Sequence, residues 1–229
     1  MARSSSRKIE PCESVTKGPE SNGSRVRQQI IETAIRLFAQ KGFRGTTTKE
    51  IALSASVNEV TIFRHFASKQ DLYSAILDVK SAQAGVTRWL PELDQFAGRR
   101  DDEGLFLFVA RKVLAHYRQD PDFLRLKLYS SLEGHEFAQE YRTRQVCPLF
   151  QYLNRYIIER QREGAFRRCD PAIAIQCFLG SVYNHATSRY FGAVDFIKLS
   201  EEATAKSFTS LFLRGIQADL VSKSEGERG

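Results

Sequence analysis

The chain of 229 residues has no apolar run approaching the ~18–20 residues that a membrane helix needs, so no membrane span is expected. Its first stretch, MARSSSRKIEPCESVTKG, holds no apolar segment of the kind a secretory signal requires, and Glu10, Glu13 and Glu20 argue against a transit peptide. Cysteine is scarce. Cys12, Cys147, Cys169 and Cys177 form no CxxC pair and no Cys/His spacing suited to a metal, and four scattered thiols in a chain of this length do not make a disulfide framework. A reduced, cytoplasmic protein is expected. The four histidines (His65, His116, His135, His185) are equally scattered, with no HExxH, no nucleophile elbow and no glycine-rich phosphate loop. Hydrolase and transferase chemistry have no support, and no cofactor or metal is implied. Finally, no segment alternates with period two, so strands are not expected.

What is present is a chain with 42% hydrophobic residues, long enough for one large or two small domains and for a real core. Its charge is unevenly placed. Residues 1–70 carry 12 lysines and arginines against six glutamates and no aspartate, which accounts for +6 of the total +7. The remainder carries 22 basic against 21 acidic groups. A basic head on a nearly neutral body points to a polyanionic partner for the head alone.

The head is organised around the stretch from Thr46 to Ile76. Thr47 with Glu50 three positions later, just before Ile51 and Ala52, is a capping box that opens a helix. Asn58 is a second N-cap, followed by Ile62, Phe63 and Phe66, which are read mainly as core. Ser68 with Asp71 opens a third helix that should run to about Ala84. Three caps in about twenty residues, each followed by an apolar face, form the pattern of a helix-turn-helix. Ahead of them, Ile30, Ile31, Ala34, Leu37 and Phe38 mark an amphipathic helix from about Arg25, stopped by Gly42, with Phe43 folding back as an apolar plug.

Beyond Ala84 the spacing predicts a loop over residues 89–102, then a helix from Glu103 to Gln119. Asp120–Pro121 opens the next, which holds Phe123, Leu126, Lys127 and Ser130 and stops at Gly134. The pattern stays helical from His135 to Glu163, with a kink or break at Pro148. Asp170–Pro171 opens a helix to about Phe191 that is apolar on more than one side, and Ser200 begins a last helix. The expectation is an all-α chain of nine or ten helices.

Residues 25–77 resemble the DNA-binding domain of the TetR/AcrR family of one-component bacterial transcriptional regulators. The resemblance is carried by Leu37-Phe38-Ala39-Gln40-Lys41-Gly42-Phe43, by Thr46-Thr47-Thr48-Lys49-Glu50-Ile51-Ala52, and by the run from Val57 to Lys69, VNEVTIFRHFASK. The later two-thirds matches only in helix count, length and the QREGAFR…DP junction. The resemblance implies an N-terminal three-helix DNA-binding domain joined to a C-terminal helical ligand-binding and dimerisation domain. It divides the chain into a disordered basic arm (1–24), the helix-turn-helix domain (25–70), an effector-binding and dimerisation domain (71–221) and a frayed tail (222–229). The arm adds phosphate contacts or is inert.

The helix from about Glu59 to Phe66 is then the major-groove reader, offering Glu59, Val60, Thr61 and Arg64. Arg64 suits guanine O6/N7; Thr61 suits a thymine methyl or a phosphate. Thr48, His65 and Lys69 match positions that touch phosphates in the family, and Arg25, Arg27 and Arg44 are further phosphate candidates. Asn58 and Phe63 complete the candidate DNA-facing set. Two positions depart from the family pattern: Val60 stands where a small residue is usual, and Phe63 where a phosphate-binding tyrosine is usual. A single reader covers too few base pairs, so a homodimer on double-stranded DNA is implied, with the last two helices as its interface. An unknown small-molecule effector is implied for the body, with Phe108, Lys112, Tyr129, Phe150, Asn154, Tyr183 and His185 as candidate pocket residues. The resulting expectation is a repressor on a palindromic operator, released by a small apolar or aromatic effector. The alternative is a DNA-binding dimer governed by a protein partner, or an activator, without a small-molecule ligand.

Overall fold

The computed structural model describes residues 22–191 and 197–218, apart from the side chains of 81–84. The arm up to residue 21 and the tail 222–229 lie outside the described residues, while Asn22–Ser24 form the first turn of a helix. The helices are α1 (Asn22–Lys41), α2 (Thr48–Ser54), α3 (Glu59–His65), α4 (Lys69–Ala84), α5 (Leu90–Gly98), α6 (Asp102–Gln119), α7 (Pro121–Leu132), α8 (Glu136–Tyr141), α9 (Cys147–Arg162), α10 (Pro171–Phe191) and α11 (Glu201–Ile216). Among the described residues the one extended pairing is an isolated bridge between Phe166 and Gln217.

The three caps of the head are formed as expected. The Thr47 hydroxyl accepts from Glu50 N, while the Glu50 carboxylate accepts from Thr47 N at 2.9 Å. The Lys41 ammonium, 2.8 Å away, and then the Thr47 amide and hydroxyl hold the Glu50 carboxyl down at about 2. Asn58 and Ser68 cap α3 and α4 through Val60 N and Asp71 N. Because α2 has only seven residues, it depends on its cap more than a long helix would. Thr47→Ala is expected to cost about 1 kcal/mol, read as a fall in thermal midpoint that Thr47→Ser restores; an unchanged midpoint would show the box to be idle.

The turn between α2 and α3 is closed by Ser56 N to Leu53 O and Val57 N to Ala52 O, with Ser56 in the left-handed region (φ 52) that more often takes glycine. Gly42 ends α1 with φ 73, and a Cβ there would stand 2.6 Å from Glu133 Oε1, so both conformation and space call for glycine.

One expectation is corrected and one is met. Residues 89–102 are not a loop: a 3-10 turn, Val86–Trp89, leads into α5. Pro91 sits in the first turn of α5, where its missing N–H costs nothing, and Leu93, Phe96 and Ala97 supply the packed face. The kink or break expected at Pro148 is present, since the helical run from His135 to Glu163 is interrupted just before that proline. The run comprises α8, a π turn at Arg142–Val146, and α9, with Pro148 in the first turn of α9.

Two buried clusters hold the molecule. The head cluster joins Ile30, Ile31 and Phe38 of α1 to Ile51, Ile62, Leu72, Tyr73 and Ile76, and also takes in Phe123 and Leu126 from α7 and Phe137 from α8. The body cluster is built on α6, against which α10 and α11 pack, with Phe106, Phe178 and Phe212 in mutual ring contact. Hence α7 and α8 serve both halves, and α4 is not the only connector.

Candidate nucleic-acid interface and body cavity

Helix α3 buries Ile62 against the head core and turns Val60, Phe63 and Arg64 outward at i, i+3 and i+4. Val60 is 72% exposed and Phe63 49% exposed. Phe63 is therefore not a core residue, as its place in the apolar pattern suggested; the narrow buried stripe of a seven-residue helix is filled by Ile62, with Phe66 buried just after it. An exposed valine and phenylalanine beside an exposed arginine form a surface with both apolar and cationic reach. Glu59 is only half exposed, because its carboxylate accepts from the Thr48 hydroxyl and so fastens α3 to the start of α2. Thr61 is half-buried. His65 is also half-buried, and its Nε2 has no hydrogen-bond partner among the described residues.

Lys69 is turned inward. Its ammonium donates to Phe43 O at 2.7 Å and Thr46 O at 2.9 Å and lies 4.1 Å from the centre of the Phe43 ring. Burial pulls its pKa down. Its visible work is tying the α1–α2 turn to α4. Arg44 is exposed, and its backbone N–H, with that of Phe43, donates to the Glu133 carboxylate at 3.2 and 3.0 Å. Thus the end of α7 grips the turn that precedes α2. His135 completes this joint, with Nε2 2.9 Å from Gln70 Oε1 and its ring against Phe43 and Tyr73.

The body holds a cavity of about 550 Å³, within the usual range for small-molecule sites and partly open to solvent. Its walls come from Trp89 and Val86, from Val113, His116 and Tyr117 of α6, from Lys127 of α7, from Tyr141 of α8, from Arg142 and Gln145 of the π turn, from Phe150 of α9 and from Leu179 and Tyr183 of α10. Lys127 is 9% exposed and sits at a position of α7 otherwise filled by apolar groups, i+4 from Phe123. Its Nζ donates to the Tyr117 hydroxyl at 3.0 Å and lies 4.0 Å from the centre of the Tyr141 ring. Burial brings its pKa down to about 7. Burial, and then the Lys127 charge, bring His116 to about 4, so the imidazole is neutral.

Of the pocket residues expected from sequence, Phe150 and Tyr183 line this cavity, and the other five do not. Phe108 and Lys112 share a different face of α6, where Phe108 packs on Phe96 and the exposed Lys112 lies over the Phe108 ring. Tyr129 is at the head–body joint, its hydroxyl directed at Gln40 O. Asn154 lies one turn beyond Phe150, outside the walls, and His185 is on the opposite side of α10 from Tyr183, against Phe208. Trp89, His116, Tyr117, Lys127, Tyr141 and Gln145 were missed. The signal for one of them was present: a lysine inside an apolar stripe must be covered by something.

Among the described residues no group of side chains is spaced to hold a metal, and no helix is long and apolar enough to cross a membrane. A capped helix-turn-helix with a mixed apolar and basic outer face, joined to an all-helical body with a cavity, defines a DNA-binding regulator. The comparisons agree. The family profile described as bacterial regulatory proteins, tetR family, matches residues 30–76. YvkB of Bacillus subtilis, an HTH-type transcriptional regulator, is 26% identical over 199 residues, covering 84% of this chain and 97% of that protein. IcaR of Staphylococcus aureus, the negative regulator of the biofilm operon icaADBC, is 26% identical over 192 residues, covering 82% and 100%. A regulator from Saccharomonospora viridis, solved in complex with choline, superposes with a TM-score of 0.66 at 20% identity, covering 86% of this chain and all of that one; at that identity the likeness speaks for the fold. Residues 30–76 thus carry the DNA-binding profile of the tetR family, and the relatives similar over most of the chain are transcriptional regulators.

Proposed function

We propose that the protein is a homodimeric repressor that holds a palindromic operator through two copies of α3 and leaves it when a small molecule with an apolar or aromatic body fills the cavity. In this reading residues 25–70 touch DNA and residues 71–221 bind the effector and the second copy, flanked by the arm 1–24 and the tail 222–229. Arg64, Val60, Thr61 and Phe63 face the bases. Arg44, Thr48, Asn58, Glu59, His65 and Lys69 form the surround, with the exposed Arg44 the best phosphate donor, the His65 Nε2 turned into the protein and Lys69 supporting the turn from within. That IcaR is a negative regulator and that the Saccharomonospora viridis protein binds choline lend support by kinship. The dimer reading draws on α10 and α11, where Ile173 (65% exposed) and Leu211 (69% exposed) stand out in water.

The observation that carries the effector reading is the short path from cavity to head. The π turn that walls the cavity is bonded to the start of the 3-10 turn by Val86 N to Gln145 Oε1 at 3.0 Å, and to α4 by Arg144 to Asp78 at 2.7 Å. A ligand that displaces Gln145 or Arg142 would pull on α4, which packs on α1. It would shift the head only by its differential affinity for the two arrangements. The cavity weighs against a dry body answering solely to a protein partner.

The test is affinity for DNA upstream of the protein's own gene against random DNA, at a stated salt concentration. The expected result is a specificity ratio of at least about 10³ with one dimer per site. Equal affinity for both DNAs would sink the reading.

A further inference from the structure

Every described titratable group that lines the cavity is basic or neutral; no aspartate or glutamate is among them. Lys127 stands at its inner wall with one hydrogen bond, to Tyr117, and no ion-pair partner among the described residues. Arg142, exposed at the rim, is a second cation on the same wall. A buried ammonium is expensive unless it is paired, so a lysine held here without a carboxylate is a site awaiting an anion. The aromatic faces around Lys127 make the same point from the other side. Tyr117, Tyr141 and Tyr183 surround its Nζ at 4.6, 4.0 and 5.9 Å from their ring centres, so the place where an aromatic cage would take a ligand cation is already filled. Val113, Leu149, Phe150 and Leu179 supply apolar wall, and Ser131, Gln145 and Gln176 add neutral polar groups.

From this geometry we infer that the cavity takes an organic anion: an apolar or aromatic body lying along α9 and α10, with a carboxylate seated on the Lys127 ammonium and drawn in past Arg142. The inference deepens the proposed function by naming the class of effector, and it rests on that reading's assignment of this cavity as the ligand site. Burial has pulled Lys127 down to about 7, and an incoming carboxylate would restore its charge.

The chain has a single tryptophan, Trp89, and it lines the cavity, so its emission reports occupancy in the full chain without a label. Benzoate, 4-phenylbutyrate and decanoate are titrated against their amides and against 3-phenylpropyltrimethylammonium, by calorimetry and by Trp89 emission. At least one acid is expected to bind about ten- to a hundredfold more tightly than its amide, one per chain, with a change in Trp89 emission. Lys127→Met should bring acid and amide to within about threefold, by weakening the acid far more than the amide. If no acid binds more tightly than its amide, if the ammonium compound binds best, or if Lys127→Met keeps the preference for the acid, the inference is overturned. Should that variant fail to fold, the acid-to-amide ratio and the Trp89 signal of the unaltered protein decide. Binding is read on the free protein, so an acid that binds but does not release DNA would count against the regulatory reading alone.

Discussion

Tyr73→Ala is expected to lower stability by about 3–5 kcal/mol, the usual cost of deleting a large buried ring, and the thermal midpoint by roughly 6–20 °C. Tyr73 is fully buried where α4 meets both halves of the molecule. Its ring is 4.8 Å from that of Phe38 on α1, 5.0 Å from Phe43 in the turn, 4.6 Å from His135 and 4.7 Å from Phe137 on α8. No neighbour can collapse into the space without loosening another contact, because each is fixed by a different element. Tyr73→Phe should cost about 1 kcal/mol, since the hydroxyl reaches Leu126 O only at 3.5 Å, beyond good hydrogen-bond length, and has the Ser130 hydroxyl as its other partner. Thermal unfolding of the two variants separates ring from hydroxyl. A Phe variant as damaged as the Ala variant would show that the hydroxyl, not the ring, holds the joint.

The same residue shows where sequence reading succeeds and where it stops. Tyr73 sits in the apolar face of a helix whose cap, Ser68, is plain in the sequence, and α4 runs to Ala84 as the pattern requires. Caps are local: Thr47, Asn58, Ser68, Asp120 and Ser200 each act within three residues, so short-range spacing is sufficient to find them. What Tyr73 touches across the joint is not local. His135 and Phe137 lie more than sixty residues away, and neither carries a motif. Phe63 was misjudged because spacing alone does not say how wide the buried stripe of a short helix is. The cavity was legible least of all. Its walls come from the 3-10 turn before α5 and from α6 through α10, and five of the seven residues chosen for it lie elsewhere, since an aromatic at helical spacing fits a core as well as a pocket. Lys127 was the exception that the sequence did mark, through the mismatch between a charge and the apolar positions around it.

Arg64→Ala is expected to weaken operator binding by about 2–6 kcal/mol, or roughly 30-fold to 10⁴-fold, if each of two readers loses a base contact worth ~1–3 kcal/mol. Arg64 is exposed near the end of α3, one helical turn from Val60, and belongs to no ion pair among the described residues, so its guanidinium is unencumbered. Val60 and Phe63 beside it add apolar surface of the kind that meets a thymine methyl, which makes a mixed G·C and A·T half-site the natural target. Binding to random DNA should change far less, because phosphate neutralisation supplies that term. Arg44→Ala should do the reverse, weakening both DNAs alike and reducing the slope of log affinity against log salt by about 1 per subunit. Titrations of both variants on operator and random DNA across a salt series therefore distinguish the base-reading role from the phosphate role. Equal losses on both DNAs for Arg64→Ala would move Arg64 to the backbone and leave Val60, Thr61 and Phe63 to read the sequence.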